Sequence, residues 1–442
     1  MLQGWVVVAV ALGYIGFLFV VASYGDRARQ IGRSRLLIYP LSLAIYCTSW
    51  TFFGSVGLAS RTGYDFLTIY VGPILMIGLG APLIMRIVRL AKAQNITSIA
   101  DFIAARYGKS QAVAATVALI AIVGTIPYIA LQLKAVSSSL STILTHVATS
   151  TGTEQPVLGD IAMVVALSMA AFAVLFGTRH IDATEHQDGL MLAIAAESLV
   201  KLFAFLAVGV FVTYWMFDGP FDLFSQAMER ADTAAVLTRD SQFGSLTAMT
   251  LLSFVAIVML PRQFHVTVVE NNSEADIRRA AWLFPAYLVL INLFVIPIAM
   301  AGLLTFPAGK VDSDMFVLAL PLIAKSDTLT LLAFVGGLSA ATAMVIVEAV
   351  ALAIMSCTKT GDHILITDSV YRPTRVFAEG LLKRYGVETT YYDPMIGAGI
   401  ESLIYDPGVA SFLKDRPGHQ LRRDETAARD SEYEVPLRRG HH

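Results

Sequence analysis

The sequence carries little charge and almost no cysteine for its length. Only 15% of its 442 residues are charged, whereas an ordinary soluble domain carries about 25%. So few charges suit a surface that faces lipid rather than water. The two cysteines, Cys47 and Cys357, exclude a disulfide framework and argue against a cysteine metal site. The net charge of -2 gives no sign of nucleic-acid binding.

Long apolar runs take up most of the first 357 residues. Hydrophobic residues make up 56% of the chain, and a helix needs about 20 of them to cross a bilayer. We predict nine spans: Trp5–Ser23, Leu37–Leu58, Phe66–Val88, Ala112–Leu133, Ile161–Phe176, Leu190–Phe217, Leu246–Pro261, Ala281–Phe306 and Leu329–Cys357. The seventh ends at Pro261 or continues to Val268, since apolar residues follow that proline. The first run lacks the basic start and cleavage site of a signal peptide. The sequence therefore predicts an all-α polytopic membrane protein.

Lys and Arg residues between the runs predict the orientation. With the N-terminus outside, the inner connections hold thirteen Lys and Arg residues and the outer ones hold six. Cytoplasmic loops carry the excess of these residues. We therefore expect an outer N-terminus and, after nine spans, a cytoplasmic C-terminus.

The character of the chain changes after Cys357. The apolar run Ile364–Ile366 predicts a short strand, Pro373 opens a predicted helix, and Val387–Tyr392 predicts a second strand. Residues 414–442 have the composition of a disordered tail. We expect a membrane domain over 1–357, a small α/β fragment over 358–413 and then the tail.

The membrane domain resembles a known family along nearly its whole length. Seven motifs carry the resemblance: Tyr46–Ser55, Ile96–Ala104, Ile126–Lys134, Glu197–Lys201, Pro261–Phe264, Arg278–Pro285 and Gly336–Thr342. They are similar to the sodium/solute symporter-like membrane domain of bacterial sensor histidine kinases. The resemblance implies a LeuT-type fold with a leading helix and two inverted five-helix repeats.

That resemblance also implies a function and a location. Spans two to six would form the first repeat, and spans seven to nine only the first three helices of the second, so we expect a truncated repeat. The implied function is transport or sensing of a small organic solute, an amino acid by class, in the bacterial inner membrane. No kinase motif follows, so we expect no kinase activity. The oligomeric state stays open.

The C-terminal fragment resembles a different family. Gly361–Tyr371 and Tyr391–Ala398 are similar to cystathionine β-lyase, which uses pyridoxal phosphate. The resemblance would place Tyr371 against the cofactor ring, but it does not extend to that family's Schiff-base lysine. We therefore expect no cofactor and no enzyme activity. The alternatives are a membrane-anchored lyase-like protein, which bound pyridoxal phosphate would reveal by its absorption, and a non-functional fusion product.

Three acidic or basic residues within predicted spans are candidate coupling groups. Ionisable residues are costly in a membrane and serve function by default. Glu348 lies in the middle of span nine, where it would couple protons or bind a solute amine, or else form a structural pair. Glu197 and Lys201 are four residues apart in span six, so we expect an ion pair along one helix face, either structural or functional.

The remaining candidates come from the resemblance. It implies that a broken span two lines the solute pocket together with span four, giving the candidates Tyr46, Ser49, Trp50, Phe53, Tyr128 and Gln132. The spacing of Tyr46 and Trp50 would let them flank a flat ligand, or they pack in the core. Ser339 and Thr342 are the hydroxyls nearest to the implied Na⁺ site. Cys47 stands where several symporters carry aspartate, which favours a proton gradient over Na⁺, or sensing alone.

Overall fold

The computed structural model describes most of the predicted membrane domain and a little of the fragment after it. The described residues are 4–27, 35–94, 96, 99–151, 188–271, 273–306, 310–357, 363–367, 379 and 388–392. They belong to two compact units: the first holds the helices as far as Val350, and the second begins at Ala351 and holds both strands. The predicted domain boundaries at 357 and 413 stay predictions.

Helices form nearly all of the described chain. In chain order they are α1 (Gly4–Arg27), α2 (Arg35–Ser42), α3 (Ser55–Thr62), α4 (Thr68–Gly78), α5 (Ala81–Ala93), α6 (Ile99–Arg106), α7 (Gln111–Thr151), α8 (Asp188–Phe211), α9 (Pro220–Glu229), α10 (Ala231–Leu237), α11 (Phe243–Met259), α12 (Pro261–Phe264), α13 (Glu274–Asn292), α14 (Val295–Thr305), α15 (Phe316–Ile323) and α16 (Asp327–Cys357). Short 3₁₀ turns cover Leu43–Tyr46, Gly63–Leu67 and Ser313–Met315, and π turns cover Trp50–Gly54, Val212–Met216 and His265–Val269.

Helices lie where eight of the nine spans are predicted. Four described helical segments are long and apolar enough to cross a membrane: Trp5–Gly25, Leu119–His146, Met191–Met216 and Glu274–Thr305. Two bent pairs could each supply one more, which makes up to six. The last predicted span lies in α16. The fifth, Ile161–Phe176, lies outside the described residues.

Both bent pairs are helices with a sharp break. Leu37–Tyr46 and Trp50–Gly78 meet at 71°, and Phe243–Met259 and Pro261–Val269 meet at 58°. The second bend follows from Pro261, which cannot donate a helical hydrogen bond. The helical chain continues past Pro261 to Val269 in a new direction, which agrees with the predicted continuation of span seven to Val268.

One large apolar core holds the helical unit together. Phe52 lies at its centre, with ring centroids 5.0 Å from Phe53 and 5.5 Å from Phe205, and all three are buried. α4 packs along α11, and α8 packs against both α1 and α2. Large apolar side chains, among them Phe203 in α8 and Trp282 in α13, are exposed. Such a surface fits lipid contact.

The second unit contains two described strands. β1 (His363–Thr367) pairs in parallel with β2 (Glu388–Tyr392), and Leu365 lies opposite Thr390. Both predicted strands are confirmed within about a residue of their ends. Parallel neighbours need a crossover between them. The helix predicted to open at Pro373 lies outside the described residues, apart from Glu379.

Candidate functional site at two helix breaks

The first break interrupts the helix between the 3₁₀ turn at Leu43–Tyr46 and the π turn at Trp50–Gly54. Cys47 adopts an extended conformation, with φ of -81° and ψ of 96°. A break of this kind leaves backbone carbonyls at the end of the first half without helical partners. Here the Ala44 carbonyl oxygen accepts a hydrogen bond from the Cys47 amide at 3.0 Å, and the buried carbonyls at the break accept further hydrogen bonds from side chains.

Two side chains from other helices bind those carbonyls. Lys201 in α8 donates from Nζ to the Ala44 and Cys47 carbonyl oxygens, at 2.8 and 2.7 Å. Gln263 in α12 donates from Nε2 to the Leu43 carbonyl oxygen at 3.2 Å. Lys201 is 3% exposed and Gln263 is fully buried. The Lys201 ammonium and the Gln263 amide thus satisfy the carbonyl groups at the end of the half-helix.

The other side of the first break is bound by α7. Gln132 Oε1 accepts hydrogen bonds from the Ser49 amide at 3.0 Å and from its hydroxyl at 2.5 Å. The hydroxyls of Thr48 and Tyr128 share a hydrogen bond of 2.8 Å. The structure therefore brings three of the predicted solute residues, Ser49, Tyr128 and Gln132, together at the break. Whether they bind a solute stays a prediction.

The second break places an arginine against the same cluster. Arg262 follows Pro261 directly, its guanidinium carbon lies 4.6 Å from the centre of the Tyr128 ring, and its Nη2 donates to the Tyr128 hydroxyl at 3.1 Å. Only 4% of Arg262 is exposed, although it is one of the thirteen Lys and Arg residues predicted in the inner connections. The sequence feature that could have predicted this burial is the position of Arg262 directly after Pro261, at the end of an apolar run.

Glu197 is bound by Ser339 and Thr342, the hydroxyls nearest to the Na⁺ site that the resemblance implies. Thr342 Oγ1 donates to Glu197 Oε1 at 2.5 Å, and Ser339 Oγ donates to the Glu197 carbonyl oxygen at 2.9 Å. Tyr14 in α1 donates to Ser339 Oγ at 2.7 Å. The charged groups of Glu197 and Lys201 thus have separate hydrogen-bond partners. The direct pair expected from their spacing does not form, because Lys201 Nζ donates instead to the Ala44 and Cys47 carbonyl oxygens at the break.

The predicted aromatic residues are engaged in packing. Tyr46 donates to the Ile69 carbonyl oxygen at 2.9 Å, and the buried Phe53 lies edge-on against Phe52. Tyr46 and Trp50 do not share the helical face that their spacing predicts, because the break lies between them. Trp50 lies over Gly54, where an added Cβ would come within 2.8 Å of its ring.

Two further questions concern the coupling candidate Glu348 and metal ligands. The Glu348 side chain lies outside the described part of the structure, although its backbone belongs to α16. Among the described residues, no group of three or more His, Cys, Asp or Glu side chains could hold a metal ion.

Comparison with known proteins finds two unrelated similarities. The Cys/Met metabolism PLP-dependent enzyme family matches residues 330–415. A Saccharomyces cerevisiae protein whose name places it among the cystathionine beta-lyases is 51% identical over 69 residues, which are 16% of this chain and 20% of that protein. The cystathionine beta-lyase of Haemophilus influenzae is 42% identical over 66 residues, 15% of this chain and 17% of that enzyme.

The second similarity covers much more of the chain. The uncharacterized symporter YhjB of Bacillus subtilis is 26% identical over 297 residues, which are 66% of this chain and 56% of the symporter. The chain thus spans a fifth or less of the two lyase-type relatives and just over half of the symporter. This similarity and the apolar helices together indicate a multi-pass membrane protein. The lyase-type match begins at residue 330, within α16 and upstream of the predicted boundary at 358.

That the lyase-type segment holds no pyridoxal phosphate stays a prediction. This cofactor is held by a lysine as a Schiff base. Between residues 330 and 415 the described residues are those of α16, the two strands and Glu379, and none of them is a lysine. Tyr371, which the resemblance places against the cofactor ring, lies outside the described residues.

Proposed function

We propose that the helical unit transports a small zwitterionic solute of the amino-acid class, and that the solute binds where the two helix breaks meet. The observation that carries this proposal is the contact between the breaks. Gln263, two residues after Pro261 at the second break, donates to the carbonyl of Leu43, four residues before Cys47 at the first break. Irregular backbone at membrane depth is tolerated where it is buried in protein or lines a cavity, and transporters build their solute sites from such discontinuous helices.

The groups at the breaks favour a solute with both a carboxylate and an amine. The Arg262 guanidinium supplies the positive charge that a carboxylate needs. Because Gln263 Nε2 must face the Leu43 carbonyl, its Oε1 points elsewhere, and it has no donor among the described residues. A buried acceptor without a donor costs about 1–3 kcal/mol. A solute N–H that reached Gln263 Oε1 would remove this cost.

The proposal also includes a fold type and an orientation in the membrane. The symporter similarity supports solute transport, and breaks in the second and seventh predicted spans support the LeuT-type arrangement, in which these spans occupy equivalent places in the two repeats. We place the N-terminus outside, as the Lys and Arg count predicts. We assign no lyase activity to the C-terminal segment.

Solute-induced thermal stabilisation of the purified protein tests the site. In a panel of amino acids, with histidine and proline first, we expect at least one to raise the melting temperature saturably. Arg262→Met removes the cation, and we expect affinity for that solute to fall about tenfold or more, because hydrogen bonds to charged groups contribute about 1.5–3 kcal/mol.

Arg279→Met is the matched control. Arg279 is half-exposed and pairs with Asp276 on the surface of α13, so its loss should leave the affinity unchanged. Equal affinities of wild type and Arg262→Met would remove Arg262 and the second break from the solute site. A folded protein that none of the amino acids stabilises would contradict the proposed solute class.

A further inference from the structure

The first break contains the ligand set of a monovalent cation site. The Ala44 and Cys47 carbonyl oxygens converge on Lys201 Nζ, and carbonyls at the end of a helical segment carry partial negative charge. One helical turn before Lys201 lies the carboxylate of Glu197, with the Thr342 hydroxyl bound to it. Glu197 and Lys201 are only 4% and 3% exposed. Oxygen ligands of these kinds are what a hard cation requires.

Sodium does not fit this ligand set while Lys201 is present. Its ammonium already lies at hydrogen-bond distance from both carbonyl oxygens. A Na⁺ ion bound to the same two oxygens would have to lie in contact with the ammonium, and two like charges at close range in a low dielectric repel strongly. The Ser339 and Thr342 hydroxyls are likewise bound to Glu197.

We infer that the Lys201 ammonium is the resident cation of the first helix break, so that solute binding at the breaks requires no Na⁺. The second half of this inference rests on the proposed function, and the first half does not. Lys201 supplies the same charge to the same carbonyls as a bound alkali ion would. It is covalently attached, so the break keeps its shape at any Na⁺ concentration.

The test compares melting temperatures in sodium chloride and choline chloride at equal ionic strength, without solute. For the wild type we expect the same melting temperature in both salts. Lys201→Ala leaves the Ala44 and Cys47 carbonyl oxygens beside an open space. We expect this variant to melt at a lower temperature, and Na⁺ or ethylammonium to restore part of the loss saturably.

Lys201→Met is the matched control, because its side chain fills the space without a charge. It should also melt at a lower temperature, but neither cation should restore it. A saturable stabilisation of the wild type by Na⁺ over choline would overturn the inference. So would a folded Lys201→Ala variant whose melting temperature rises with neither Na⁺ nor ethylammonium.

Two further measurements guard against a variant that does not fold. Lys201→Arg keeps a cation at the break and should melt at the same temperature in both salts, whereas a Na⁺ response in that variant would contradict the inference. Solute affinity of the wild type should agree within about twofold between the two salts, and strict Na⁺ dependence would overturn the inference. A wild type that binds no amino acid in either salt would sink the proposed function, while the melting comparison without solute still decides which cation occupies the break.

Discussion

Gln132 shows how one side chain supports a broken helix. A single oxygen, Oε1, accepts both donors of Ser49, and the two residues are 0% and 1% exposed. Buried donors that lose their acceptor pay the full cost of leaving water. This oxygen from α7 therefore stabilises the first break.

Gln132→Leu should lower the free energy of unfolding by about 1–3 kcal/mol, because it leaves the Ser49 amide and hydroxyl without an acceptor. Denaturation of the purified protein in mild detergent measures the change. Ser49→Ala removes one of the two donors, so it should cost less in the Gln132→Leu background than in the wild type. Additive effects, within about 0.5 kcal/mol, would show that the two side chains are not coupled.

Sequence could place these residues near one another but could not assign their partners. The resemblance puts Ser49, Tyr128 and Gln132 at one site, and the structure brings them together. The four-residue spacing of Glu197 and Lys201 predicts a direct pair, which is wrong, because spacing shows only which groups share a helix face. The carbonyls that bind Lys201 belong to the first break, more than 150 residues away in the chain.

Gly336 in α16 marks a close approach between elements. A Cβ added there would lie 2.6 Å from the Ala204 Cβ in α8 and 2.7 Å from the Phe52 Cζ in the π turn after the first break. Small residues allow helices in membranes to pack this closely. The approach holds α16, and with it Ser339 and Thr342, against the helix that carries Glu197 and Lys201.

Gly336→Ala should therefore destabilise the helical unit by about 1–3 kcal/mol through overpacking. Gly13→Ala in α1 is the matched control, because an added Cβ there meets nothing within 4 Å. Alanine favours a helix over glycine by about 1 kcal/mol, so the control should be neutral or slightly stabilising. Thermal unfolding in detergent compares the two, and a Gly336→Ala variant at least as stable as the Gly13→Ala variant would rule out the close contact.

At the scale of elements, apolar runs predict where helices lie but not how they bend. Eight of the nine predicted spans are helical, since a run of about 20 apolar residues leaves few alternatives in a membrane. The runs do not show that α7 extends to Thr151, or that α15 lies between the last two spans. Pro261 signals the second bend by itself. The first break contains no proline, so only the resemblance predicts it.

At the scale of the whole molecule, two similarities of different extent share one chain. The symporter similarity covers 66% of it, whereas the lyase-type match is confined to residues 330–415. That match includes part of α16, so the similarity to a PLP-dependent family and the last predicted span overlap along the sequence. Function in our account belongs to the helical unit, because that unit contains both breaks and every described charged group at them.

Solute counterflow tests the central claim, that this chain moves a solute across a membrane, most directly. Proteoliposomes loaded with the unlabelled amino acid found by thermal stabilisation are diluted into a trace of the labelled one. Exchange through one saturable site needs no ion gradient, so we expect the labelled amino acid to accumulate transiently. Accumulation should be lower in Arg262→Met and unchanged in Arg279→Met. Folded protein that binds the solute but accumulates no label would contradict transport.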